Sequence, residues 1–217
     1  MELLQIRTGG DRNFGYLLLD GGEAAILDPG EDPTQLLRAL DASGCRLRTV
    51  IATHTHADHI ASLSRIPHGQ WELIASPFGS LVPTRAVTDP GLELELGQAR
   101  LRLLPTPGHT PCSLCALVLD SSGRPTDVIT GDTLFVGKVG GTGSSEQARA
   151  EYHSLHRVLL SLPDEVRVWP GHDYGVSPSS TIGHERRSNP FLLQPDLAAF
   201  EHLKATWADY KKLHGIM

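Results

Sequence analysis

A chain of 217 residues with 40% hydrophobic and 20% charged content carries enough apolar material for one compact domain, 1–217, and is too rich in it for a disordered segment. Its formal net charge is −6, and its basic stretches, HERRSN (184–189) and YKKLH (210–214), are short, which excludes nucleic acid as an expected partner. The longest apolar runs, such as LCALVL (114–119), are strand-sized, so no membrane span is expected, and the opening MELLQIRTGG lacks the pattern of a signal peptide, which makes the cytoplasm, or an organelle matrix, the default location.

Along the chain, LLQIRT (3–8), FGYLLLD (14–20) and EAAILD (23–28) read as strands separated by turns. DPGED then turns the chain, Pro33 fits the first turn of a helix over TQLLRALDAS, and Gly44 fits its stop. RLRTVIAT (46–53) is the next strand, followed by a short helix over about 58–65, ended by Pro67 and Gly69, and a strand over WELIAS (71–76). LELELG and ARLRLLPT alternate as hairpin partners, and LCALVLD and DVITGD form a second pair joined by SSGRP. A helix over roughly 145–161, a strand over EVRVWP (165–170) and late helical sequence follow. In LAAFEHLKATWADYKKL, the residues Leu197, Phe200, Leu203, Trp207 and Tyr210 recur at helical spacing. Many strands followed by late helices predict an α+β fold in which helices cover a sheet core.

The densest chemistry stands in IATHTHADHI (51–60), at the C-terminal end of a predicted strand. His54 and His56 are two apart, so an extended backbone points both to one side, while Asp58 and His59 enter the following helix. His109 in LLPTPGHTP, Asp132 in DVITGDTLF and His172 in VRVWPGHDYG each follow a strand in the same way. His54, His56 and His109 can give one metal three imidazoles, Asp58, His59 and His172 can hold a second, and Asp132 can bridge the two. Two divalent ions fit this nitrogen and oxygen set, with zinc first and Fe2+ or Mn2+ also compatible. Such ions lower the pKa of a shared water and aim the resulting nucleophile at a carbonyl or phosphoryl centre. Asp58 is the candidate catalytic residue that both coordinates and orients it. The ligand set alone points to hydrolysis of an ester, thioester, amide or phosphoester. A metal-stabilised interaction protein is the non-enzymatic alternative, and the completeness of the ligand set argues against it.

THTHADH at 53–59, together with His109, Asp132 and His172, resembles the metallo-β-lactamase superfamily over most of the chain. The resemblance implies a four-layer αββα sandwich with late helices and the metals at one edge of two packed sheets. PTPGHTP, GDTLF, PGHDYG and ERRSNPFL (185–192) are most similar to the glyoxalase II and persulfide dioxygenase group. That likeness implies a thioester hydrolase acting on a small hydroxyacyl-glutathione, with Lys138 and Tyr174 as substrate-binding residues. The same likeness keeps a mononuclear Fe(II) persulfide dioxygenase open, held by His54, His109 and Asp132, as well as another ester or lactone hydrolase of the same fold. Glyoxalase II enzymes carry a longer C-terminal helical region; here 45 residues follow His172, leaving Lys204, Lys211 and Lys212 as basic candidates.

Other ionisable groups read as structural. Asp28 in LDPG is expected to organise a turn, and His153 and His156 to share a partly exposed helical face. Cys112 and Cys115 form a lone CxxC and are expected to be inert thiols, with no second pair to complete a thiolate site. Gly140, Gly141 and Gly143 lack the order of a phosphate loop.

Overall fold

The computed structural model describes residues 1–88 and 91–215. Strands β1 (Glu2–Arg7), β2 (Phe14–Asp20) and β3 (Glu23–Leu27) form an antiparallel meander. Gly21 and Gly22 turn β2 into β3 with positive φ values of 57° and 80°, the backbone a two-residue hairpin turn requires. Helix α1 (Thr34–Ser43) starts after Pro33 and stops at Gly44, which takes a left-handed φ of 63°. It returns the chain to β4 (Arg46–Ile51), which lies parallel to β3. After the short α2 (Ala57–Ile60), β5 (Glu72–Ala75) and β6 (Arg85–Ala86) complete a six-stranded sheet in the order β1-β2-β3-β4-β5-β6.

The second sheet is built from the rest of the chain. The hairpins β7 (Leu92–Leu96) with β8 (Ala99–Pro105) and β9 (Leu114–Leu119) with β10 (Pro125–Gly131) pair in the predicted partnerships. A two-stranded ribbon, β11 (Leu134–Phe135) and β12 (Lys138–Val139), and helix α3 (Ser145–Arg157) follow. β13 (Arg167–Pro170) then adds parallel to β10, and β14 (Ser180–Thr181) closes the order β14-β13-β10-β9-β8-β7. Helices α4 (Ile182–Ser188), α5 (Leu197–Ala205) and α6 (Trp207–His214) end the described chain.

Alternation along the strands divides the apolar side chains into three cores. Between the sheets, Tyr16, Leu18, Leu27 and Ile51 meet Leu94, Leu101, Val118 and Ile129. On the outer face of the first sheet, Leu17, Ile26 and Val50 pack on Leu36 of α1. On the outer face of the second, Leu117, Val128 and Val168 pack on Leu155 of α3 and on Phe200 and Leu203 of α5. Each such side chain contributes about 1.5–3 kcal/mol by leaving water. The result is the expected α+β sandwich, with helix, sheet, sheet and helix as its four layers. Among the described residues no helix is long and apolar enough to cross a membrane.

Two expectations need correction. The helix expected over 58–65 is only α2, followed by a 3-10 turn at Leu63–Arg65, and Ile66 is extended ahead of Pro67. The helix expected over 145–161 stops at Arg157; a 3-10 turn at Leu159–Ser161 follows and Leu162 is extended ahead of Pro163. The late helical stretch is two helices, α5 and α6, meeting at Thr206, which leaves helical geometry with φ −108° and whose hydroxyl donates to the His202 carbonyl at 2.9 Å beside its own N–H.

Candidate metal centre

The seven predicted groups converge on one edge of the sandwich, each just beyond the C-terminal end of a strand. β4 of the first sheet feeds His54 and His56 and then Asp58 and His59 in α2. From the second sheet, β8 feeds His109, β10 feeds Asp132 and β13 feeds His172. Three sets of ligand atoms lie within 4.8 Å of one another: the expected His54 with His56 and His109, the expected Asp58 with His59 and His172, and Asp28 with His54 and His59. Asp132 stands between the first two. Its Oδ2 is 4.0 Å from His54 Nε2, 3.5 Å from His109 Nε2 and 3.3 Å from His172 Nε2, and its Oδ1 is 3.3 Å from His59 Nε2. The buried His54 Nε2 and Asp132 Oδ1 have no hydrogen-bond partner, so this donor set fits a cation. The close backbone approach depends on Gly171, where a Cβ would collide with Asp132 Oδ1.

Hydrogen bonds behind the rings fix which nitrogen faces inward. Asp28 is a carboxylate and can only accept: from the Thr53 hydroxyl at 2.6 Å and from His59 Nδ1 at 2.9 Å. With its proton given to Asp28, Thr53 Oγ1 accepts from His54 Nδ1 at 3.2 Å. The carbonyls of Gly141 and Asp11 accept from His109 Nδ1 at 2.7 Å and His172 Nδ1 at 2.8 Å. Four imidazoles therefore carry the proton on Nδ1 and turn Nε2 toward the cluster, the tautomer a metal ligand requires. His56 alone turns Nδ1 inward, 3.1 Å from His109 Nε2. Asp58 accepts from Asn13 Nδ2 at 2.9 Å through Oδ2.

Charge and burial set the protonation. Burial, with the charge of His59, pushes His54 well below the ordinary histidine range, and burial lowers His109 as well. Burial opposes charge on His59, but the Asp28 and Asp132 carboxylates overcome it and hold that ring well above its ordinary value. His172 is raised in the same way, with Asp132 outweighing burial. Asp132 is held well below the carboxylate range by His172 and His59 in spite of its burial.

Lys138 and Tyr174 lie beside this centre. The Tyr174 ring stacks on His172 with centroids 4.5 Å apart, and Lys138 Nζ is 3.7 Å from the Tyr174 centroid. The Tyr174 hydroxyl donates to Asp11 Oδ2 at 2.6 Å. Lys204 is elsewhere: its ammonium pairs with the buried Glu151 carboxylate and donates to the Gly140 carbonyl at 2.6 Å. Asp28 corrects the turn reading, because it orients two imidazoles; the Asp-Pro-Gly signal concealed that role. Asn13 and Arg12 carry no motif that marks them, and Thr53, though it opens THTHADH, is not marked there as a partner of the ligands. Cys115 is fully buried with its thiol pushed up to about 11 by burial, and Cys112 is buried too, in keeping with inert thiols. The glycine run is a packing device at Gly140, where a Cβ would collide with the Asp132 carbonyl.

Known proteins are similar to this chain in sequence and fold. A family model described as the metallo-beta-lactamase superfamily matches residues 8–72 and 63–172. A hydroxyacylglutathione hydrolase of Anaeromyxobacter dehalogenans is 35% identical over 211 residues, covering 96% of this chain and 76% of that protein. The human mitochondrial persulfide dioxygenase ETHE1 is 32% identical over 189 residues, covering 82% of this chain and 71% of that protein. The crystal structure of ETHE1 from Myxococcus xanthus superposes with a TM-score of 0.81 at 33% identity, covering 95% of this chain and 91% of that one. With sandwich and sequence in agreement, the chain belongs to the metallo-β-lactamase superfamily, with homologues in its glyoxalase II and persulfide dioxygenase group.

Proposed function

We propose that this protein is a metal-dependent hydrolase that cleaves a hydroxyacyl-glutathione or related thioester. The observation that carries the reading is that both three-ligand sets are complete, with Asp132 between them. His54, His56 and His109 would hold one divalent ion and Asp58, His59 and His172 the second, with Asp132 shared. Zinc is the first choice, and Fe2+ or Mn2+ suit the same donors. When bound, the ions lower the pKa of a water and polarise the acyl carbonyl. Asp58 is the more open of the two carboxylates, 33% exposed at its side chain against 9% for Asp132. Its Oδ2 is fixed by Asn13, which suits it to orient the attacking water and take its proton. Water adds to the acyl carbon, the carbon–sulfur bond breaks, and the products are the hydroxy acid and the thiol. A thiolate leaves without a dedicated acid, since a thiol with an ordinary pKa of about 8.5 is a good leaving group. Lys138 and Tyr174, which lie beside His172, would meet the thiol carrier.

Similarity to the two ETHE1 proteins supports a second reading, a mononuclear Fe(II) persulfide dioxygenase using His54, His109 and Asp132. The two readings separate when the purified protein is loaded with zinc or with iron(II). Thioester cleavage is then followed beside oxygen uptake on glutathione persulfide. Hydrolysis is expected with little oxygen consumption. Rapid iron-dependent oxygen uptake without thioester turnover would overturn the hydrolase and favour the oxygenase.

A further inference from the structure

Arg12 occupies a backbone conformation that an arginine rarely takes. Its φ is 61°, in the left-handed region where Gly, Asn and Asp are the usual occupants. The surrounding loop holds it there: the Asn13 N–H donates to the Gly9 carbonyl at 3.1 Å, and the Asp173 N–H donates to the Arg12 carbonyl at 3.0 Å. The guanidinium lies 4.8 Å from the centroid of the Tyr174 ring, the same ring that carries Lys138 Nζ. Two cations therefore meet on one aromatic ring, and that ring stacks on His172. Like charges so placed repel. Burial first, then the charges of Lys211 and Arg12, holds the Lys138 ammonium below its ordinary value. The acid nearest Arg12 is Asp11, with Oδ1 at 3.6 Å, and the other Asp11 oxygen already accepts from Tyr174. In a chain of net charge −6, cations gathered at the rim of the centre are complementary to an anion that arrives with the substrate.

We propose that Arg12, together with Lys138 across the Tyr174 ring, is a specificity-determining residue that binds an anionic group of the thiol carrier. The proposal rests on the thioester reading above and adds to it the residue that reads the carrier, with a carboxylate or phosphate as the group recognised. A planar guanidinium gives such a group two parallel hydrogen bonds, and the Lys138 ammonium adds a point charge. The contact comes from the first loop of the chain, on the side of the centre opposite in sequence to the C-terminal helices. Lys204, on those helices, is committed to Glu151.

The test compares one hydroxyacyl group on three carriers: glutathione, glutathione with both carboxylates as ethyl esters, and coenzyme A. R12N removes the charge with a residue that tolerates left-handed backbone, R12K keeps the charge without the fork, and R157Q removes an exposed cation on α3 as a control for general charge. R12N is expected to raise KM about tenfold or more for the preferred anionic carrier. It should also erase the preference over the diester, with partial recovery in R12K and no change of preference in R157Q. A preference for glutathione assigns a carboxylate, and one for coenzyme A a phosphate. A preference that R12N leaves at the wild-type value overturns the proposal. Calorimetric binding of S-methylglutathione and of coenzyme A to the metal-loaded proteins gives a readout free of turnover. Arg12-dependent binding in a protein that cleaves no thioester would refute the hydrolase reading and leave the anion assignment standing. Binding indifferent to Arg12, or absent for both compounds, would refute the assignment.

Discussion

Asp28 adopts φ 47°, a left-handed conformation that costs an L residue roughly 1–2 kcal/mol. That geometry aims one carboxylate at the Thr53 backbone and hydroxyl and at His59 Nδ1 together. One side chain thereby sets the inward face of His59 directly and of His54 through Thr53. D28N keeps the size of the side chain and suits the left-handed backbone, but it removes the charge and an acceptor oxygen. Its metal affinity should fall about 10–100-fold, as losses behind a ligating histidine do. Competition against a chromophoric chelator measures it, and wild-type affinity in D28N would refute the role. The histidines themselves were legible in the sequence because HxHxDH crowds ligand chemistry into one strand end. Asp28 was not, because an Asp-Pro-Gly turn and a buried acceptor look identical in one dimension. The fold, not the spacing, brings residue 28 to residue 59.

Helix α5 reaches the centre indirectly. Lys204 pairs with Glu151 of α3 and donates to the Gly140 carbonyl, and Gly108, next to His109, packs against Glu151 so closely that a Cβ there would collide. The clasp thus holds the back of the loop that carries His109. Burial outweighs the pull of Lys204 and pushes the Glu151 carboxyl up to about 7, from an ordinary 4.5. The folded state then binds this proton more tightly than the unfolded chain does. Its contribution to stability is complete below 4.5 and is lost as pH rises through about 7. Thermal melts should therefore show wild type losing Tm across that window relative to E151Q, and parallel curves would contradict the assignment. Elements of this length were well read from periodicity: the strands β2 and β9 and the helix α1 fall on the predicted residues. The two-residue strands β6, β11, β12 and β14 could not be, since two residues carry no period. The junction at Thr206 was hidden for a different reason: the apolar spacing continues across it although its backbone leaves helical geometry.

At the scale of the molecule, the α+β class and the convergence at one edge followed from strand ends that each deliver a ligand, whereas the order of strands within each sheet, beyond the two predicted hairpins, had no sequence signal of its own. That order has a simple property: all strands of the first sheet fall within residues 2–86, and all of the second within 92–181. The two ligand sets ignore this division. His54 and His56 come from the first half and His109 from the second; Asp58 and His59 come from the first half and His172 from the second. A bound ion is then a cross-link between two sequential halves, in the sense in which a disulfide is one, but reversible by a chelator. Fragments 1–88 and 89–217, expressed together, should associate through the core shared by the sheets and tighten when zinc is added. An ion at 100 times its Kd supplies about 2.7 kcal/mol to the assembled form. Co-purification that chelation weakens and zinc restores would bear this out, and association indifferent to metal would refute it. The centre would then be an assembly joint as well as a reaction site.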